Sequence, residues 1–235
     1  EEKKMENSEG VEVASGYSHV RSKSTSKVNS GKKHRPYYAV KRIADVVLSS
    51  IALVVLSPLF LIVAIAIKWD SPGPVFYSHE RGGKNGKMFK LYKFRTMMND
   101  NRSLEAIFSP EQMKQWKRDY KVDHDPRITK IGHLLRKTSL DELPQFLNVL
   151  KGEISLVGPR PIIQEETERY GKQRDELLQI KPGLTGYWQV NGRSNTTYEM
   201  RMQMELYYVK NQSIWFDIQI LFRTFIVIIT QNGAK

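Results

Sequence analysis

Hydrophobic and polar positions divide the chain into a polar beginning, one long apolar segment and a mixed remainder. Residues 1–36 are rich in Ser, Lys, Glu and Gly and hold almost no large apolar side chains, a composition that predicts a disordered basic tail. Residues 69–235 alternate short apolar runs with turn residues, which predicts a small domain of helices and strands. Residues 37–68 lie between these two regions and contain the apolar segment.

The apolar run from Val46 to Ile67 is about as long as a helix needs to be to cross a bilayer, so length alone predicts a transmembrane span. Two features favour a different structure. Ser57 and Pro58 lie near the midpoint, where proline bends a helix and a nearby serine can bond to the freed carbonyl. Basic residues also flank both ends, and a hairpin that enters and leaves on one side keeps both clusters cytoplasmic. We therefore interpret residues 37–68 as the re-entrant helix–break–helix anchor of a monotopic membrane protein.

Beyond the apolar segment, periodicity and turn residues predict further elements in a predominantly helical α+β fold. The last apolar run, residues 215–230, is short for a span and predicts a helix that lies on the membrane or packs on the core. The segment 181–193 contains too many turn residues for a helix. The other predicted elements are strands at 75–78, 88–94 and 154–157 and helices at 101–121, from 128, from 141 and at 197–210.

The charge of the chain narrows the classes of partner. The formal net charge of +12 predicts an anionic partner. Nucleic acid, an acidic membrane surface and a phosphorylated substrate all fit this charge. The absence of cysteine excludes disulfides, thiolate catalysis and cysteine zinc sites. Because the five histidines are scattered, any metal should be a hard cation held by carboxylates.

The adjacent carboxylates Asp141 and Glu142, called here the acidic pair, are the strongest candidates for chemistry. Ser139 and Glu142 also have the spacing of a capping box, which is a purely structural role. Pro144 would lie inside a helix that began at Ser139, but in the first turn of one capped by Asp141. We therefore expect the helix to begin at Asp141, with both carboxylates free at its mouth.

Arginines lie on both sides of the acidic pair. Arg136 lies just upstream, and Arg160 lies downstream between Pro159 and Pro161. This second arginine is either a solvated side chain on a rigid turn or a guanidinium pre-organised for a phosphate oxygen. Arg193 follows a run of aromatic and amide residues and is suited to stacking and hydrogen bonding.

Several motifs, together with the broken apolar segment, resemble the bacterial sugar transferase family of monotopic polyprenyl-phosphate phosphoglycosyl transferases. The resemblance extends in unbroken order from about Lys41 to Arg223, and the tail before Lys32 lies outside it. Each motif is modest alone, and the series is specific. The motifs are YKFRTM at 92–97, LRKTSLDELPQ at 135–145, NVLKG at 148–152, VGPRP at 157–161, KPGLTG at 181–186 and QVNGR at 189–193.

The resemblance implies an enzyme that moves a sugar-1-phosphate from a UDP-sugar to undecaprenyl phosphate at the cytoplasmic face of the bacterial inner membrane. It implies that Asp141 attacks the sugar-bearing phosphate, releasing UMP, and that the lipid phosphate then displaces the sugar phosphate from the aspartate. Mg²⁺ would be held by Glu142 with Asp141. By analogy, the substrate and phosphate-binding residues are Lys93, Arg95, Arg136, Pro159, Arg160, Pro161 and Arg193. Adjacent residues on a helix diverge by about 100 degrees, so we expect Asp141 and Glu142 to flank the substrate.

Two other functions stay open. One alternative is a membrane-anchored basic scaffold or nucleic-acid-binding protein, in which the acidic pair would only cap a helix. The sequence contains no known nucleic-acid-binding module of interleaved aromatic and basic residues, so we expect no nucleic-acid partner. A hydrolase would use the same pair on a soluble phosphate ester without any lipid acceptor. The transferred sugar, the glycan pathway and the oligomeric state are open as well, with a homodimer as one alternative.

Overall fold

The computed structural model describes residues 35–99, 102–119, 122–192 and 196–230, and these are mostly helical with two small two-stranded sheets. The predicted tail falls almost wholly outside them. The first helices and strands are α1 (Arg35–Val55), α2 (Ser57–Asp70), β1 (Phe76–Gly82), β2 (Met88–Phe94), α3 (Leu104–Ile107), α4 (Pro110–Asp119), α5 (Lys130–Thr138) and α6 (Gln145–Lys151). The others are β3 (Ser155–Val157), α7 (Gln164–Arg169), α8 (Arg174–Leu178), β4 (Gly183–Thr185), α9 (Tyr187–Asn191), α10 (Tyr198–Lys210) and α11 (Ile214–Thr230).

Helices α1 and α2 form the apolar hairpin. They meet at Leu56 with a bend of 60°, and Pro58 lies in the first turn of α2. The hydroxyl of Ser57 donates to the carbonyl oxygen of Val54 at 2.8 Å, so it bonds to a carbonyl beside the break. No single helix among the described residues is long and apolar enough to cross a membrane, but this bent pair passes that test together. The predicted helix–break–helix is therefore confirmed, and its insertion into a membrane stays a prediction.

Polar side chains of α1 bind it to the rest of the molecule. Asp45 is buried and accepts hydrogen bonds from Ser155 Oγ at 3.0 Å and from the Leu156 amide at 2.9 Å. Arg42 donates to two carbonyls in the last turn of α6 at 2.6 and 2.7 Å. Lys41 pairs with Asp217 of α11 at 2.6 Å. One face of α1 is thus fixed to β3, α6 and α11.

The β1–β2 hairpin connects the apolar hairpin to the rest of the domain. The two strands pair antiparallel from Phe76 opposite Phe94 to Gly82 opposite Met88, so β1 extends four residues beyond its predicted end. Phe94 is buried against Val63 and Ile67 of α2 and against Leu135 of α5. The main core lies on the other side of β2, where buried residues of β2, α6, β3, α10 and α11 meet. These residues are Leu91, Val149, Ile154, Leu156, Val157, Ile180, Tyr208 and Ile220.

Two helix predictions were wrong in detail. The stretch 101–121 forms two helices, α3 and α4, with Phe108 between them; its side chain packs beside Trp116 at 5.9 Å between ring centroids. The turn-rich segment 181–193 contains the short helix α9, because Tyr187 and Val190 pack against the main core and tertiary contacts override weak local preference. The strand predicted at 154–157 is confirmed as β3, which pairs parallel with β4.

The two C-terminal helices agree with their predictions. Thr197 caps α10 by accepting a hydrogen bond from the Met200 amide. Helix α11 leaves large apolar side chains exposed, including Trp215, Phe222, Phe225 and Ile229. An exposed apolar helix face of this size marks an interaction surface.

Candidate active site

The acidic pair lies on a tight turn between two helices. Helix α5 ends where Ser139 adopts a left-handed conformation with φ of +57°, and Leu140–Glu142 then form one turn of 3₁₀-helix. The prediction of an α-helix from Asp141 was wrong: α6 begins at Gln145, and the capping box of Ser139 does not form. The amides of Glu142 and Leu143 donate to the carbonyls of Ser139 and Leu140 at 3.3 and 3.2 Å, which closes a 3₁₀ turn, and Pro144 then directly precedes α6, where a proline is tolerated.

Lys93 of β2 joins the two carboxylates. Its Nζ lies 2.6 Å from Glu142 Oε1 and 3.6 Å from Asp141 Oδ2. We expected the carboxylates to diverge, and instead they converge on one cation. The difference arises because the pair lies on a 3₁₀ turn packed against β2, where the long lysine side chain reaches both.

Asp141 is buried, and burial raises the pKa of its carboxyl above the usual range. Lys93 and Arg136 oppose this effect because they stabilise the ionised form, whereas the neighbouring Glu142 adds to it. The charge of Asp141 therefore depends on the two cations. A carboxylate with this environment is a candidate nucleophile or metal ligand.

Asn148 fixes the position of Lys93 relative to the acidic pair. This buried side chain accepts a hydrogen bond from the Tyr92 amide at 3.0 Å and donates to the carbonyl of Lys90 at 2.7 Å. It also donates to Glu153 Oε2 at 2.6 Å. Because Asn148 lies on α6, these bonds hold the strand that carries Lys93 against the helix that follows the pair.

A small cleft opens beside Lys93 and Glu142. Arg160 also lines this cleft, and it follows β3 in the sequence Pro159-Arg160-Pro161. The polar side chains that line the cleft are Arg81, Lys93, Glu142, Gln145, Arg160 and Gln189, and Pro161 lines it too. The cleft thus brings together one carboxylate of the pair and three cationic side chains.

The turn that carries Arg160 is held from both sides. The carbonyl of Pro159 accepts a hydrogen bond from the Gly183 amide at 2.8 Å, and the amide of Arg160 donates to Glu205 at 3.1 Å. The guanidinium of Arg160 lies 5.7 Å from the ring centroid of Trp188. Of the two interpretations of Arg160, this geometry favours the pre-organised guanidinium, because the side chain lies on the cleft wall.

The structure distributes the other predicted residues unevenly. Arg136 donates to Thr96 Oγ1 at 2.9 Å and lies near enough to Asp141 to affect its pKa. Arg95 does not line the cleft: its buried guanidinium donates to the carbonyls of Ser71 and Pro72 at 2.7 and 2.6 Å, where it connects the end of α2 to β2. Arg193 lies outside the described residues.

Sequence reasoning missed three residues of this region. Arg81 lines the cleft, and no local pattern distinguishes it from the other basic residues near β1. Trp188 contacts Arg160, but it lies in a segment expected to be non-helical. Glu205 is 1% exposed, and burial raises its pKa to about 7. Its signal in the sequence is a lone carboxylate within the apolar part of α10, four residues after Arg201.

The acidic pair has a donor set that suits Mg²⁺. Mg²⁺ prefers hard oxygen ligands and usually binds one or two carboxylates together with substrate phosphates and water. Asp141 and Glu142 supply two such carboxylates beside a cationic cleft. Within the described ranges no group of three or more His, Cys, Asp or Glu residues could hold a metal ion. The residues therefore fit a metal that shares its ligands with a phosphorylated substrate.

The chain is similar to several known proteins. A family model for bacterial sugar transferase matches residues 36–231. The chain is 46% identical over 198 residues to an undecaprenyl-phosphate galactose phosphotransferase of Salmonella typhimurium and 46% identical over 198 residues to a UDP-galactose-lipid carrier transferase of Erwinia amylovora. It is 44% identical over 197 residues to the exopolysaccharide production protein ExoY of Sinorhizobium fredii.

Each of these matches covers 83% of the chain. The matches span 41% of the length of the Salmonella and Erwinia relatives and 87% of the length of the Sinorhizobium one. The matched region contains both the apolar hairpin and the acidic pair. The chain therefore belongs to the bacterial sugar transferase family.

Proposed function

We propose that this chain is a phosphoglycosyl transferase that moves a sugar-1-phosphate from a UDP-sugar to undecaprenyl phosphate and releases UMP. The observation that carries the proposal is the acidic pair, which Lys93 joins beside a cleft that Arg160 also lines. The names of the Salmonella and Erwinia relatives support the lipid acceptor and the UDP-linked donor. The reaction would be an early membrane step in the assembly of a surface glycan, for which the Sinorhizobium relative is a precedent.

The proposed chemistry has two displacements at phosphorus. In the first, a carboxylate oxygen of Asp141 attacks the phosphorus that bears the sugar, and the bond to the UMP oxygen breaks. In the second, an oxygen of the lipid phosphate attacks the same phosphorus, and the bond to Asp141 breaks, which restores the carboxylate and forms the lipid diphosphate sugar. Covalent catalysis of this kind separates one transfer between two anions into two steps.

Positive charge must surround these steps because a carboxylate and a diphosphate repel each other. Lys93 and Arg136 lie near Asp141, and Arg160 lines the cleft beside Lys93 and Glu142. Asp141 and Glu142 would hold Mg²⁺, which when bound neutralises phosphate charge and polarises the phosphoryl oxygens. Arg95 is not part of this proposal, since its guanidinium already serves the end of α2.

We also propose that the α1–α2 hairpin enters the cytoplasmic leaflet of the bacterial inner membrane and returns to the same side. The bend at Leu56, the exposed apolar residues of α1 and the basic residues on both flanks support this arrangement. A re-entrant hairpin would keep the acidic pair near the headgroups, where both a soluble nucleotide sugar and a lipid phosphate can reach it.

The transferase proposal is tested by incubating detergent-purified protein with a panel of UDP-sugars, with and without undecaprenyl phosphate, and measuring UMP. We expect UMP and a lipid-linked product with one donor or a few related donors, and neither from the Asp141→Asn variant. Steady turnover without the acceptor would identify a hydrolase instead. Wild-type turnover by Asp141→Asn would remove this residue from the mechanism.

The topology is tested with single cysteines, since the chain has none of its own. Ser30→Cys and Glu80→Cys lie on the two flanks of the hairpin and should both react with a membrane-impermeant thiol reagent from the cytoplasmic side only. Labelling from opposite sides would refute the re-entrant arrangement.

A further inference from the structure

Two arginines lie near the ring of Trp188, and a third shares a carboxylate with one of them. The guanidinium of Arg201 lies 4.8 Å and that of Arg160 lies 5.7 Å from the centroid of its ring. Arg81 and Arg201 share the carboxylate of Glu166, at 3.9 and 3.1 Å. We call Arg81, Arg160 and Arg201 the arginine cluster; they come from β1, from the turn after β3 and from α10.

The carboxylates that face the arginine cluster do not balance its charge. Glu166 is shared between two arginines. Glu205 faces Arg160 and Arg201, but its burial raises its pKa to about 7, so at neutral pH it supplies only part of a negative charge. Burial, together with repulsion from Arg160 and Arg201, lowers the pKa of Arg81 to about 10. The part of this lowering that comes from the two neighbouring arginines reflects repulsion between cations, which a bound anion would relieve.

The cluster also contains donors that are not used. Within the described residues, Nε of Arg81 and both Nε and Nη2 of Arg201 are buried and have no hydrogen-bond partner. A buried donor without a partner costs free energy unless a ligand or water satisfies it. Arg81 and Arg160 both line the cleft, as do Lys93 and Glu142. An anion in the cleft could therefore reach both guanidinium groups.

We propose that Arg81 is a further substrate-binding residue, which binds a phosphate group in the cleft together with Arg160. The proposal rests on the proposed function, because the cleft is the one beside the acidic pair. A guanidinium presents its donors in a fork that matches two phosphate oxygens, which a lysine cannot do. Glu166 acts as a positioning residue that keeps the side chain of Arg81 beside the cleft. The phosphate belongs either to the nucleotide diphosphate of the donor or to the lipid acceptor, and the same chemistry suits both.

Steady-state kinetics separate the two sources. In a two-step displacement, kcat/KM for the donor reports only the first step and kcat/KM for the acceptor only the second. Arg81→Gln should lower one or both of these constants by roughly tenfold or more, as expected for loss of a charge-assisted hydrogen bond. A loss confined to the donor constant identifies the donor phosphates, and a loss confined to the acceptor constant identifies the lipid phosphate. Arg81→Lys, which keeps the charge without the fork, should recover part of the loss.

Lys87→Gln is the matched control, since it removes one positive charge from an exposed position beside the same hairpin. Its two constants should stay within about twofold of wild type. The thermal midpoint of Arg81→Gln is measured alongside. The proposal is overturned if both kcat/KM values of Arg81→Gln lie within about twofold of those of Lys87→Gln. It is also overturned if both Arg81 variants lose activity only in proportion to their loss of folded protein.

A binding measurement keeps this inference separate from the proposed function. Titration calorimetry with UDP, in the Asp141→Asn background, should show weaker binding when Arg81→Gln is added if the site takes donor phosphates. If the wild type releases no UMP from any UDP-sugar, the proposed function fails. If the wild type releases UMP and Arg81→Gln does so with unchanged constants, only the present inference fails.

Discussion

The pKa of about 7 for Glu205 has a measurable consequence for stability. Glu205 is almost completely buried, and one of its oxygens accepts the hydrogen bond from the Arg160 amide while the other has no partner among the described residues. Burial disfavours the ionised form, and Arg201 and the Arg160 amide offset only part of this cost. Substituting Glu205→Gln keeps an acceptor for the amide and removes the charge.

Whether this group makes the protein more or less stable as pH rises follows from comparing its protonation in the folded and unfolded chains. Below the ordinary pKa of 4.5 both hold the proton; between 4.5 and about 7 the folded chain keeps a proton that the unfolded chain has released. Stability from this group is therefore fully present below 4.5 and is lost as pH rises through about 7. The difference, 7 − 4.5, corresponds to roughly 3 kcal/mol.

Glu205→Gln should accordingly match wild type in stability near about pH 4 and exceed it near about pH 8, by up to roughly 3 kcal/mol. For a domain of this size that is a rise of roughly 6–12 °C in thermal midpoint. Tryptophan fluorescence of detergent-purified protein measures the midpoints across this pH range. Taking the difference between variant and wild type at each pH cancels the titration of all other groups.

Glu199→Gln is the matched control, since Glu199 is exposed on the same helix. The difference in thermal midpoint between Glu199→Gln and wild type should change little over the same pH range. The assignment of a destabilising buried charge to Glu205 would be refuted if the difference in thermal midpoint between Glu205→Gln and wild type did not change with pH. It would also be refuted if wild type became relatively more stable as pH rises.

Three further predictions follow from the site. Asn148→Ala should lower the free energy of unfolding by about 3 kcal/mol or more, because two backbone groups of β2 lose their partner; an unchanged thermal midpoint would contradict this. Gly158→Ala should lower both the midpoint and UMP release, since its Cβ would lie 2.7 Å from the Gly183 nitrogen and the Lys181 oxygen, whereas Gly86→Ala, which has open space around its Cβ, should cost only about 1 kcal/mol. Chelation of divalent cations should stop UMP release, and added Mg²⁺ should restore it. The thermal midpoint of substrate-free protein should not change. Full activity in the presence of chelator would show that the reaction does not need a divalent metal.

The break in the apolar hairpin could be predicted from sequence because its cause is local. Proline at position 58 disrupts an intrahelical hydrogen bond in any surroundings, and the serine beside it has a carbonyl within reach. The motifs around the acidic pair also single it out in the sequence, and its catalytic role stays a prediction. In both cases a short stretch of chain contains all the necessary information.

The conformation of the acidic pair could not be predicted in the same way. Ser139 and Glu142 have the spacing of a helix cap, but Ser139 adopts a positive φ, which is uncommon for a residue other than glycine, and the turn that follows it packs against β2. The positions of the two arginines near the β1–β2 hairpin could not be predicted either. Arg95 and Arg81 are both basic residues near a strand end, and only the pairing of the strands and the bond from Gly82 to Ile162 direct Arg81 to the cleft.

The hydrogen bonds that Asp45 accepts from Ser155 and Leu156 couple the anchor to the cleft. Strand β3 begins at Ser155 and leads through Gly158 into Pro159-Arg160-Pro161, so these two bonds connect α1 to the segment that carries Arg160. If the hairpin lies in the leaflet as proposed, lipids with shorter or longer acyl chains should change its depth and tilt. The enzyme would then sense the thickness of its host bilayer, and its turnover in vesicles should pass through a maximum as chain length increases.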